Sequence, residues 1–389
     1  MYYTRRFLVH TAFLFLIAFI QKISCEDVLM EDMVTWINSQ GGSFNKLEIR
    51  RSDLSNDSSP YGIFATEDIE VGEEILFIPS ECYIKVSHPE DLTEKENEIS
   101  QMERYFNNLC ELSGNLGKEM NKGEESEYAP YIAYLKTLPT GQIPSTWSKE
   151  GKSALRDLIA GGKRDVVDYL ENNAKTKCIN NDFEEHMLAL TIQRGFDTTL
   201  IPVWDMVNHA NGEKVNTEND PMYENGGLVV RASKDIMKGD EIFASYDKCI
   251  DCKDTHHYWG TMEIMRDFGF VESYPHRYVF DTPEYIWFEV HEEGMDNELT
   301  VDWDDIEHVE ITHEGLEFLE KFLKHVESSG SHIMDRHDII PSHEYNVIYS
   351  FYMAAIMDLP LIIAEVREYL DNLNVDRKEE NEELMHDEL

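Results

Sequence analysis

The densest chemical content lies at Ile201 to Gly212, which reads Ile-Pro-Val-Trp-Asp-Met-Val-Asn-His-Ala-Asn-Gly. It opens as the apolar run of a buried strand, and Pro202 limits that strand to a start or an edge. The polar pair Asn208-His209 then stands where a core favours apolar side chains. Polar groups held in a core have fixed partners, and a cofactor is one such partner. Downstream, Gly-Asp-Glu-Ile-Phe-Ala-Ser-Tyr at 239–246 gives a turn, a short strand and a closing tyrosine, and Phe268-Gly269-Phe270 adds an aromatic pair. Upstream, Arg194 sits near the end of a helical pattern from Phe183 to Phe196. Its planar fork suits a carboxylate, either a ligand's or a structural partner's. Alone, His209 reads as a satisfied structural histidine and Tyr246 as strand-end packing. No Gly-x-Ser-x-Gly, metal-protease motif or phosphate loop occurs.

The elements that must hold them follow from periodicity and turn chemistry. Val28 to Asn38 has a helical pattern that Ser39-Gln40-Gly41-Gly42 ends. Phe44 to Arg50 alternates like a strand. Tyr61 to Thr66 and Ile75 to Pro79 read as strand, turn, strand, joined by Asp68-Ile69-Glu70-Val71-Gly72-Glu73. Lys234 to Glu241 echoes that turn, as two equivalent hairpins would. Between about 85 and 184 the chain is polar and helical, with helices expected at 94–108 and 153–172; the aromatic cluster Tyr128 to Pro139 reads as packing. After Tyr274-Pro275 come a strand at 278–290, a helix at 312–328 and a helical pair, 343–359 and 361–373, expected to break at Pro360. Residues 376–389 read as a charged, unstructured tail.

Together these segments resemble the SET-domain methyltransferases, in the branch that includes the Rubisco large-subunit lysine methyltransferase and the actin histidine methyltransferase. Asp205, Asn208, His209 and Tyr246 match that family's Asp-x-x-Asn-His segment and its later strand ending in Tyr. The resemblance implies an α+β SET fold of short hairpins over 26–274, split by the helical insertion, and a mostly helical substrate-docking domain over 275–375. It implies S-adenosylmethionine as cofactor, held by Gly62, Ile63, Phe64, Arg194, Asn208, His209, Tyr246 and Phe270. Tyr246 is then the catalytic residue lining the channel, and Asp205 holds the turn. Two departures stand out: Pro60-Tyr61 occupies the place of an extra glycine, and Phe268 stands where many relatives have Tyr. The second bears on how many methyl groups are added and to which acceptor. The implied activity is methylation of a protein lysine, with a histidine acceptor or a silent SET-fold binding module as alternatives.

The ends of the chain carry separate signals. Met1 to Arg6 is basic and Phe7 to Ile20 is apolar, the pattern of a secretory signal peptide over 1–25. The last four residues, His386-Asp387-Glu388-Leu389, match an endoplasmic-reticulum retention address read by a receptor. A lumenal protein with no membrane span after cleavage is expected. In that compartment Asn56-Asp57-Ser58 is a usable glycosylation sequon.

Asp and Glu number 77 against 34 Lys and Arg, a net charge of −43. That sign excludes general nucleic-acid backbone binding and suits a basic protein partner. An acidic calcium buffer is disfavoured by the aromatic content and by the lack of an EF-hand loop. Of the six cysteines, only Cys249 and Cys252 are close enough in sequence to suggest an arrangement. With His256 and His257 they have the residue types of a zinc site, but an oxidising lumen favours a local disulfide there, so no metal is expected.

Overall fold

The computed structural model describes residues 25–53, 59–87, 98–162, 165–196, 198–222, 224–246, 259–280, 286–294, 298–302 and 311–387. Asn56, the Cys249–His257 cluster and Glu388-Leu389 lie outside them.

Helix α1 (Cys25–Ser39) precedes strands β1 (Ser43–Phe44), β2 (Leu47–Arg51), β3 (Tyr61–Ala65), β4 (Glu74–Pro79) and β5 (Ile84–Lys85). Met30, Met33 and Ile37 lie on one face of α1 and are buried. Helices α2 (Glu98–Lys122), α3 (Ala129–Leu135), α4 (Lys149–Ile159), α5 (Tyr169–Asn173), α6 (Lys175–Cys178) and α7 (Asp182–Arg194) follow. The helix expected at 94–108 therefore runs on to Lys122, and the one expected at 153–172 is two helices.

The chain then returns to short strands: β6 (Gly195–Phe196), β7 (Thr199–Leu200), β8 (Asn208–His209), β9 (Thr217–Asn219), β10 (Gly227–Ala232) and β11 (Phe243–Ala244). They complete sheets ordered β1-β4-β10-β9, β5-β7-β6, β2-β3 and β11-β8. The echo between the two turns has a physical counterpart. Ile69 bridges Ile236, Asp68 Oδ1 accepts from the Lys238 amide, and Asp235 Oδ1 accepts from the Val71 amide. The two turns cap each other.

The strand expected at Ile201 is a correction. The ladder ends at Leu200, and Ile201 to Val207 is a buried, irregular crossing with a 3-10 turn at Trp204–Met206. Val203 there takes φ +69, a left-handed conformation unusual for a branched residue. Burial rather than strand pairing absorbs the apolar run: Ile201, Val203, Met206 and Val207 all enter the first core.

Helix α8 (Thr261–Phe268) leads to the antiparallel sheet β12 (His276–Phe280), β13 (Ile286–Glu293) and β14 (Glu298–Asp302), then to α9 (His313–Met334) and α10 (Ser342–Asp387). The single strand expected at 278–290 is a hairpin. Helix α10 passes through Pro360 without ending and continues through the segment expected to be unstructured. A helical proline costs about 3 kcal/mol, but Phe351, Ala355, Leu359, Ile362, Ile363 and Val366 on both sides of it pack into one second core. Residues 342–373 are long and apolar enough to cross a membrane by length and composition; in this fold that apolar surface meets the second core. Asp358, fully buried on α10, accepts hydrogen bonds from Tyr274 and Tyr278 at 2.8 Å each and pairs with His276 Nδ1 at 2.7 Å. The long helix is thereby tied to the chain leaving the candidate site.

A disulfide links Cys110 on α2 to Cys178 on α6, across 68 residues of sequence. Spacing did not suggest this pair. Closing so long a loop restricts the unfolded chain, which contributes about 2–4 kcal/mol. Replacing both cysteines by serine should lower the urea midpoint and steepen the slope, because the freed unfolded chain exposes more surface; an unchanged midpoint would show the bridge to be dispensable.

Candidate active site

The site is built on the pairing of two short strands. β8 and β11 run parallel, Asn208 opposite Phe243 and His209 opposite Ala244. Just beyond β11, the Tyr246 amide donates to His209 Nδ1 at 2.9 Å. The Tyr246 hydroxyl donates to the Val207 carbonyl at 2.7 Å. Tyr246 is thus held at both ends by the segment that carries Asn208 and His209.

Aromatic rings extend this pair into a wall. The His209 and Tyr246 rings lie 4.9 Å apart, His209 and Phe270 6.0 Å, Tyr246 and Phe268 4.5 Å, and Phe268 and Phe270 6.3 Å. Gly269, between the two phenylalanines, ends α8 at φ +77, and a side chain there would strike the Gln142 carbonyl. Only glycine fits such a turn at such an approach. The four rings remain half-buried, so the wall keeps an open face.

Behind the wall lies a buried polar cluster. Arg194 Nη1 donates to the Asp205 carbonyl at 2.7 Å, and the Tyr131 hydroxyl donates to Asp205 Oδ2 at 2.8 Å. Asp205 Oδ1 is buried with no hydrogen-bond partner. Burial pushes the Asp205 carboxyl up to about 6, although Arg194 and the Tyr131 hydrogen bond pull the other way. Burial also raises the Tyr246 phenol well above its ordinary value, despite Arg194 nearby. Tyr246 therefore stays protonated near neutral pH and acts as a neutral hydroxyl.

Residues 60–247 match the family described as SET domain. The chain carries a SET domain. The actin-histidine N-methyltransferase of Danio rerio is 24% identical over 254 residues, a match covering 57% of this chain and 40% of that protein. The chain thus spans less than half of that relative's length. Among solved structures, the SET domain of LSMT bound to lysine and AdoHcy is similar with a TM-score of 0.52 at 14% identity, over 91% of this chain and 94% of that one. Rubisco LSMT bound to sinefungin and monomethyllysine gives 0.51 at 16% identity, over 90% and 93%. The fold is the α+β fold of SET methyltransferases, with a C-terminal region rich in helix.

The residues singled out from sequence fall into three groups. Asn208, His209, Tyr246 and Phe270 come together on the wall, and Arg194 joins them from behind through Asp205. Gly62 is adjacent: a Cβ there would collide with the Glu241 carboxylate and the Asn208 amide. The space on the Cβ side of Gly62 is therefore filled by those side chains. Ile63 and Phe64 follow Gly62 on β3. The Ile63 side chain is wholly in the core and its carbonyl accepts from the Ile242 amide. Phe64 is 4% exposed, with the Arg50 guanidinium 3.3 Å from its ring centroid. Both side chains are spent on packing.

Sequence reasoning missed Tyr131 and Glu241. Tyr131 belongs to a cluster read as packing; its phenolic tip required a polar partner even there, and that partner is Asp205. Elsewhere, a cavity of about 200 Å³ shares no lining residue with this site. Glu289, His291 and Asp302 bring three donor atoms within 4.8 Å on β13 and β14, with Arg277 already bound to Glu289.

The Asp205 cluster has a pH signature. A carboxyl whose folded pKa lies above its unfolded value destabilises the fold once ionised. The penalty is absent below the ordinary value of 3.8 and complete above about 6, roughly 3 kcal/mol over that window. Asp205→Asn should therefore gain stability relative to the parent as pH rises from 4 to 7. Urea unfolding across that range measures the difference, and a flat difference would mean Asp205 ionises freely.

Proposed function

We propose that this SET domain transfers methyl groups from S-adenosylmethionine to a lysine side chain of a protein substrate, and that it does so in the endoplasmic-reticulum lumen. The observation that carries the reading is the double attachment of Tyr246 to β8 beside the open aromatic wall. The residues present fit the cofactor. Arg194 donates one hydrogen bond to Asp205 and lies 6.0 Å from the Tyr134 ring; its remaining donors hydrogen-bond to no described residue, which leaves a fork for a carboxylate. Asn208 Oδ1 accepts from no described group. The half-buried rings of His209, Phe268 and Phe270 offer an apolar face for a flat heterocycle or a sulfonium methyl.

The cofactor supplies an electrophilic methyl on sulfur. A methyl supplied there would pass only to an acceptor nitrogen that arrives with a free lone pair. Tyr246 has its proton directed at Val207, so its oxygen lone pairs remain free to accept from an incoming amine and orient it. No general base is required of Tyr246, because the acceptor loses its proton before attack. An apolar wall beside a cationic sulfonium lowers an amine's pKa from its usual value of about 10.4.

A histidine acceptor is the second reading, favoured by the name of the Danio rerio relative. A silent binding module of the same shape is the third. Support for the lumen comes from the apolar segment after Arg6, the last four residues and the Cys110–Cys178 disulfide, which suits an oxidising compartment. The net charge of −43 favours a basic substrate surface.

Incubation with methyl-labelled S-adenosylmethionine and lumenal proteins should label a substrate, and Tyr246→Phe should lower the rate by about 100-fold, in the range of lost positioning interactions. No transfer by the parent, with no cofactor binding by calorimetry, would leave only the binding module. With the labelled protein in hand, kcat/KM for a lysine acceptor should keep rising with pH beyond 8, whereas a histidine acceptor should level off near its pKa of about 6.5. In cells, the full chain should be sensitive to endoglycosidase and retained, and deleting the last four residues should send it to the medium. Cytosolic, unglycosylated protein would remove the lumenal part of the proposal.

A further inference from the structure

Beside the wall, the orientation of one amide is fixed by a residue to which the reaction as described assigns nothing. Asn208 Nδ2 donates to Glu241 Oε1 at 2.6 Å and to the Tyr61 carbonyl at 3.2 Å, with Ser52 Oγ at 3.4 Å. Two of these neighbours, a carboxylate and a carbonyl, can only accept. The amide nitrogen must therefore face them, because the flipped amide would set oxygen against oxygen. Its Oδ1 is left on the opposite side as an acceptor. Glu241 is in turn held: Ser52 Oγ donates to the same oxygen at 3.2 Å, and the backbone of Glu241 bridges Phe64. Gly62 makes room for the pair, since any side chain there would displace the carboxylate or the amide.

We propose that Glu241 is a positioning residue that locks Asn208 with its carbonyl oxygen toward the ligand, so that this end of the pocket selects a cationic amine. An outward oxygen accepts from an ammonium, whereas an outward NH2 would repel it. Arg194 supplies the complementary donor for a carboxylate, so the two polar ends of an α-amino acid group are read by opposite chemistry. The inference rests on the S-adenosylmethionine reading and names which group of that ligand Glu241 governs.

The test compares two ligands by calorimetry on the full lumenal chain: S-adenosylhomocysteine, which has the α-amino acid end, and 5′-methylthioadenosine, which lacks it. Glu241→Met keeps length and removes the acceptor. It should weaken S-adenosylhomocysteine about tenfold and leave 5′-methylthioadenosine within about twofold. Glu241→Gln can still present an oxygen to Asn208 and should bind both ligands nearly as the parent does. Equal loss of both ligands in Glu241→Met, or no loss of either, overturns the proposal. So does a Glu241→Gln variant that behaves like Glu241→Met, since that would mean the charge itself contacts the ligand. Glu241→Ala serves in place of the Met variant should the latter melt early. If the parent binds neither ligand, the cofactor reading fails instead, and the two failures are told apart.

Discussion

Parallel pairing of two dipeptide strands, Asn208-His209 with Phe243-Ala244, is the constraint on which the candidate site depends. Two residues per strand form too few ladder bonds to hold such a pair alone. It persists because side chains close around it. Tyr246 reaches back to His209 and Val207, Asn216 clamps the Phe243 amide and the Glu241 carbonyl, and Thr217 donates to the Phe243 carbonyl. The crossing is thus held by side-chain hydrogen bonds where a longer sheet would use backbone.

The remainder of the molecule supplies rigidity to that crossing from three directions. The first core seats the buried run Ile201–Val207 directly beneath it, so that the strained Val203 is held by packing on all sides. The mutually capped turns at Asp68 and Asp235 fix the hairpins that deliver β3 and Glu241. From the far side, Asp358 gathers Tyr274, His276 and Tyr278 and anchors the segment that follows Phe270. Burial lowers the His276 pKa, but Asp358 and Glu272 together outweigh it and raise the pKa above its ordinary value. A buried carboxylate needs hydrogen bonds on its oxygens, and both oxygens of Asp358 have partners.

Much of this was legible in the sequence, and what was not has identifiable causes. The order Arg194, Asn208, His209, Tyr246 and Phe270 could be read because it follows the segments of the SET family in sequence, although each residue taken singly has a packing or structural reading. The echo of the two turns could be read because turn chemistry is local. Ile201–Val207 misled because an apolar run is the same for a strand and for a buried irregular crossing; only tertiary burial distinguishes them. Pro360 misled for a related reason: the local cost of a helical proline is fixed, but the gain from packing both flanks into one core is not a local quantity. The Cys110–Cys178 pair joins segments far apart in sequence, where spacing carries no information.

Glu241 shows where reading residue by residue stops. In the sequence it is one more acid in an acidic turn of an acidic chain, and its charge suggests solvent. In the fold its oxygen faces an amide nitrogen, and the consequence appears at the other end of that amide. A carboxylate can therefore set the hydrogen-bond polarity of a pocket without touching what the pocket binds. Gly62 completes the argument, since the same missing Cβ that reads as backbone freedom is the space in which Glu241 and Asn208 meet. A glycine, an acid and an amide, unremarkable singly, together decide which way one carbonyl points.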